Sequence, residues 1–207
     1  MERLLNTGLA NLEQAEFGGL VTLDGKLVGD ANPLPIQPGA GTVFNVSGTT
    51  LTPSATFTRP SDTTQYAVGD LVANSTVAGS VTALALTCAR TAAGYFTITK
   101  VRLRKSGTSV TNAAFRVHLF LSAPTASNGD NGAFLTNNVA NYLGAFDVNS
   151  MMAFSDGAAG NGAAMTSNQA TGKLPSGLTA HALIEARAAY TPASGETFTV
   201  TLEAIPD

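Results

Sequence analysis

The stretch Gly195-Glu-Thr-Phe-Thr-Val-Thr-Leu-Glu-Ala-Ile205, "GETFTVTLEAI", alternates polar and apolar residues from Thr197 to Ala204. Phe198, Val200 and Leu202 fall on one side, and threonines with Glu203 fall on the other. A period of two is the pattern of a strand with one face buried and one face in water. "AFRVHLFLS" (114–122) repeats it: Phe115, Val117, Leu119 and Leu121 alternate with Arg116, His118 and Phe120. On this pattern His118 is expected to point outward. Six further candidate strands lie at 54–58, 65–73, 79–89, 94–105, 141–153 and 178–190, separated by Gly, Asn and Pro. His181 opens the 178–190 strand, with Ala182, Ile184 and Ala186 expected inward.

Short strands punctuated by turn signals, with no helical crossovers between them, specify an all-β antiparallel β-sandwich. A jelly roll is the preferred topology. In "GYFTITKVRLRKS" (94–106) the apolar phase slips: Phe96 and Ile98 are even, Val101 and Leu103 odd. A β-bulge near Thr99-Lys100 would restore the inward face. A strand passing from one sheet to the other is the alternative. The small-residue stretches 123–133 and 156–176 are expected to be long loops.

The chain has 207 residues, enough to bury a core without disulfides. Charged residues make up only 12%, and the deficit is filled by Ala, Thr, Ser, Asn and Gly, which suits a protein packed against neighbours and equally a Thr-rich β-protein. Residues 1–50 carry five acidic and two basic side chains, a sum of −3. The body, 51–207, sums to zero. Neither part has the basic balance of a nucleic-acid binder, so no nucleic-acid partner is expected. No apolar run is long enough for a membrane span, and no apolar segment follows Glu2 and Arg3, so neither membrane partner nor secretory export is expected.

Two domains are expected: an N-terminal arm, 1–50, and the β-body, 51–207. In the arm, Leu4, Leu5, Leu9 and Leu12 have helix-like spacing, "VTLDGKLV" (21–28) carries a hairpin turn at Asp24-Gly25, and Pro33, Pro35 and Pro38 favour extended chain. None of these pieces is self-sufficient, which points to an arm that orders on another surface. Packing back on its own body is the other possibility.

No reacting centre is evident. The two histidines are 63 residues apart, and Cys88, the sole cysteine, sits in the apolar run "VTALALTCA", where a thiol behaves as a small core residue. The loop residues Asn128, Asp130 and Asn131, and Asp156 with Asn161, could be considered for calcium, but one Asp per loop is poor provision, and turn formation is the simpler role. No metal, cofactor or catalytic residue is therefore assigned. Lys100, Arg102 and Arg104 share one strand face, with Lys105 following. They form a docking patch for an acidic surface or phosphate, or else the solvated face of a strand guarded by charge.

"ATFTRPSDTTQYAVGDLVANS" (55–75), "YFTITKVRLRKSG" (95–107) and "FRVHLFLSAPTASNGDNGAF" (115–134) together resemble structural proteins of tailed bacteriophages, the capsid decoration or cement proteins with a β-sandwich body. The resemblance spans 55–205 and is most specific at Thr58-Arg59-Pro60, Asp62, Tyr66, Gly69 and Asp70, then at Asp130-Asn131 with Phe134. It implies a non-enzymatic virion protein on the exterior of the phage head, made in the host cytoplasm, with the major capsid protein as partner. Self-association is expected with it, a homotrimer first and a homodimer second. The arm residues Leu4, Leu5, Leu9, Leu12, Pro33, Pro35 and Pro38 would bind the capsid. A tail fibre or spike receptor-binding module is the alternative. In the 59–74 segment, Pro60 bars helix at Arg59, Ser61 and Asp62 are expected to close a turn, Gly69-Asp70 to bend, and Tyr66 to be buried with its hydroxyl on a polar partner.

Overall fold

A computed structural model describes residues 50–164 and 170–206. The arm residues singled out above all lie outside the described residues. The body is all-β and antiparallel. Its strands are β1 (Ser54–Thr58), β2 (Leu71–Val72), β3 (Leu84–Thr87), β4 (Tyr95–Lys105), β5 (Phe115–Phe120), β6 (Tyr142–Val148), β7 (Met152–Phe154), β8 (Gly157–Ala164), β9 (Ala170–Lys173), β10 (Thr179–Ala186) and β11 (Thr197–Pro206).

They curl into two packed layers. The first, sheet A, runs β1-β11-β4-β8, with β9 beside the start of β4 and β7 beside β8. In sheet B, β3 and the two-residue β2 share one edge of β10, followed by β5 and β6. β8 joins the layers: Ala158–Gly162 pair with β4, and Ala163 and Ala164 pair with β6. Set aside the short β2, β7 and β9, and the remaining strands pair first with last, second with seventh, third with sixth, fourth with fifth. These eight strands form one long hairpin doubled over itself.

The core lies between the layers. Phe96, Ile98, Val101, Leu103, Phe198, Val200 and Leu202 of sheet A meet Leu84, Leu86, Phe115, Val117, Leu119 and Ile184 of sheet B. Phe115 and Phe198 join the layers edge to face, with ring centroids 5.3 Å apart. Cys88 is fully buried in this core, and its thiol is pushed up to about 11 by loss of solvent. Ala182, Ile184 and Ala186 point inward as the alternation requires.

The phase slip in β4 is a bulge. Glu203 pairs with Lys100 and Ala204 with Ile98, so Thr99 has no partner residue. That one extra residue returns both Ile98 and Val101 to the core. Two expectations are corrected. Within 65–73 only Leu71–Val72 is strand, and 156–176 is not one long loop but contains β8 and β9. The candidate 141–153 also breaks after Val148, with β7 continuing it on the other sheet.

A second, smaller core caps the outer side of sheet B. Phe120 and Leu183 pack there with Leu71, Ala73 and Ala126, covered by Phe134. The segment after β5 therefore folds back over a face that strand alternation alone assigns to water.

Candidate docking face and its buried supports

The outer side of sheet A is a broad, exposed surface whose composition follows from register. One row across it reads Thr56, Thr199, Arg104, Ala159, Met152, and the next reads Ser54, Thr201, Arg102, Asn161. At one end the hydroxyls pair, Ser54 with Thr201 at 3.0 Å and Thr56 with Thr199 at 2.8 Å. At the other end Met152 and Phe154 stand 67% and 52% exposed. Between them is the expected basic set. The structure places Lys100, Arg102 and Arg104 together on this face, because the bulge at Thr99 sends the even residues that follow it outward. Arg104 donates to Asp156 at 2.9 Å, and Arg102 and Lys100 lie 3.6 and 3.9 Å from Glu203. Exposed pairs of this kind contribute little stability and leave the cations available to a partner. A groove of about 440 Å³ runs between Arg102, Arg104, Met152 and Phe154. Asp156 and Asn161, considered above for a metal, are part of this face; Asn161 sits opposite Arg102.

Lys105 does not extend the patch. It is in phase with Leu103 and is fully buried. Its ammonium donates to Gly107 O, Ser109 O, the Tyr190 hydroxyl and Glu196 Oε1 at 2.6–3.1 Å. Burial lowers its pKa, and Glu196 opposes that shift.

The 59–74 segment is a buried tie. Tyr66 is 1% exposed, and its hydroxyl donates to Asp130 Oδ1 at 2.7 Å while accepting from Arg59 Nε. Arg59 Nη2 donates to Asp130 Oδ2 at 2.8 Å, and the Ala73 N–H donates to Asp130 Oδ1 at 2.7 Å. The expected turn is present: Asp62 Oδ1 accepts the Thr64 N–H, and Arg59 also reaches Asp62. Gly69 supplies the bend with φ +93°, and Asp70 closes it by accepting the Ala67 N–H. Burial pushes the Asp130 carboxyl up, and the Ala73 N–H, Tyr66 and Arg59 hold it back. Burial likewise raises the Tyr66 hydroxyl well above its ordinary value. Asp130 is thus a structural acceptor. Asn131 beside it has φ +62°, the left-handed geometry of a turn, and Asn128 donates to Ala133 O. Among the described residues no group of three or more His, Cys, Asp or Glu is arranged to hold a metal ion.

His118 points outward from its strand, as expected, but is covered. It lies on the outer side of sheet B but is 8% exposed, because Phe134 stacks on it at 4.2 Å. Nε2 is 2.9 Å from Glu185 and Nδ1 is 3.1 Å from the Tyr142 hydroxyl. Around this pair Arg116 binds Asp147 at 2.6 Å and Arg187 binds Glu185 at 2.9 Å. His181 is on the same side of the sheet, opposite Phe120, with its pKa lowered by burial. Register brings the two histidines to neighbouring positions, which their separation in sequence did not reveal.

Lys105 and Glu196 could have been found from phase alone: Lys105 is in phase with the inward residues of β4, and Glu196, just before β11, with those of β11. No sequence signal links Asp130 to Arg59, 71 positions earlier in the chain.

No family model, curated protein or solved structure matches this chain. Among the described residues no helix is long and apolar enough to cross a membrane.

Proposed function

We propose that this is a non-enzymatic structural protein of a tailed-phage virion that binds the outer surface of the head and stabilises the capsid lattice. The body is taken as a jelly roll, since the doubled-hairpin pairing is the arrangement that two interlocked Greek keys require. The outer side of sheet A carries this reading. It offers hydroxyl rows, three exposed cations and, at one end, two exposed apolar side chains, a mixture of polar and apolar surface that a docking face uses. A ligand that binds only the assembled lattice stabilises it by mass action, and many identical copies add avidity to weak single contacts. The partner is the major capsid protein, through an acidic patch that complements Lys100, Arg102 and Arg104. Self-association on the lattice, as a trimer or dimer, matches its local symmetry axes.

Binding to empty heads tests this. The triple variant Lys100→Gln, Arg102→Gln, Arg104→Gln is expected to lose occupancy at low salt, and Phe154→Ser to lose it at all salt concentrations. Undiminished binding of both variants defeats the assignment of this face. Density for the chain at a tail tip on imaged virions, with none on the head shell, favours the receptor-binding alternative.

A further inference from the structure

A groove of about 300 Å³ opens on the outer side of sheet B, on the other layer from the docking face. Its walls are rings: His118 stacked on Phe134, and Tyr142 set edge-on to Phe120 with centroids 5.4 Å apart. Its rim is aliphatic, with Leu135 58% and Val139 83% exposed. These are costly residues to leave in water, and their clustering marks an interaction site.

A ring-walled slot with an aliphatic rim suits an extended proline-bearing segment. The pyrrolidine ring has flat apolar faces and no N–H to bury unsatisfied, and the extended chain presents its carbonyls outward. This chain carries such a segment, "ANPLPIQPGAG" (31–41), in which Leu34 and Ile36 sit among Pro33, Pro35 and Pro38. The 13 residues from Pro38 to Leu51, where the body begins by bridging Ala204, span up to roughly 40 Å when extended. A body of this size has a radius of gyration of about 15 Å, so that length reaches an adjacent molecule.

We propose that the groove of one molecule receives the proline-bearing segment 31–41 of a second copy. The contact is head to tail, and it builds either a closed ring such as a trimer or an open chain. It requires only a second copy, so it stands or falls separately from head binding.

Sedimentation of the full-length chain at rising concentration tests it. The wild type is expected to self-associate. Val139→Asp, at an exposed position, places a charge in the slot and is expected to weaken association at least about ten-fold with an unchanged circular dichroism spectrum. Replacing Pro33, Pro35 and Pro38 together by Ala should do the same. Each variant keeps the half that the other lacks, so their mixture should recover a dimer that neither forms alone. A wild type that stays monomeric, a Val139→Asp chain that associates normally, or a mixture that remains monomeric overturns the proposal. Loss of association in Val139→Asp with none in the proline variant also overturns it, and identifies the groove as a body-to-body contact instead.

Discussion

The Arg59–Asp130 pair allows an asymmetric prediction, because its two members cannot respond equally to losing each other. Both side chains are sealed from solvent, at 0% and 1% exposure. In Asp130→Asn the amide keeps an acceptor for the Ala73 N–H but turns a donor toward Arg59. The guanidinium cannot shed its proton, so a buried charge is left with only Asp62, at 3.3 Å, as counter-charge. Breaking a buried pair in this way costs about 3–5 kcal/mol, or a fall of roughly 6–20 °C in Tm for a body of this length. The loss should be nearly independent of pH between 5 and 7. Arg59→Met leaves a carboxyl that can escape by taking up a proton, since burial already pushes Asp130 upward. The folded state of that variant then binds a proton that the unfolded state lacks above about pH 4, so its stability rises as pH falls. The electrostatic part of its loss should be about 4 kcal/mol at pH 7 and about 1.5 kcal/mol at pH 5, from about 1.4 kcal/mol per pH unit. Urea unfolding followed by circular dichroism measures both variants against wild type, as the chain has no Trp. Parallel pH profiles for the two variants would refute the ion-pair account of this tie.

Three further outcomes are expected. Cys88, with its thiol raised to about 11 and fully buried, should react with a thiol reagent at pH 8 only as fast as the body opens, and at once in denaturant. Asp147 is held below its ordinary range by the Arg116 hydrogen bonds, so it contributes stability above about pH 4 that is lost as pH falls through its folded value; Asp147→Asn should flatten the acid limb of the urea-midpoint profile. Gly162→Ala should destabilise by about 1–3 kcal/mol in thermal unfolding, because an added Cβ would sit 2.9 Å from the Cβ of Phe146.

What was legible in the sequence was whatever a two-residue period carries. β11 and β4 could be placed, including the extra residue at Thr99, because their apolar phase is unbroken or broken once. β8 was hidden, and its packing explains why. At Gly160 a side chain would meet Ser150 O and Val148 at 2.6 Å, so the strand that crosses between the layers is built of residues with no hydropathy to alternate. The burial of His118 and Phe120 was hidden for a different reason. The outer side of their sheet is roofed by the segment carrying Ala126 and Phe134, and alternation along one strand cannot reveal a cover contributed by another part of the chain. Tyr66 was identified as a buried anchor from its setting, but its partner Asp130 lies in a stretch whose Asn and Gly content speaks only of turns. Of the docking face, Lys100, Arg102 and Arg104 could be read directly. Met152 and Phe154 join them only through β7, a three-residue strand with no pattern of its own.

The doubled-hairpin arrangement also sets an order of assembly. β5 and β6 are neighbours along the chain and can zip early, whereas Ser54 must wait for Thr201, 147 positions downstream. During synthesis the first strand therefore stays unpaired until the last has left the ribosome, with Phe57 and its row of hydroxyls open to any passing β-edge. Slowing translation through the codons of β11 should lengthen that wait and raise the fraction of chains that pair with the wrong molecule.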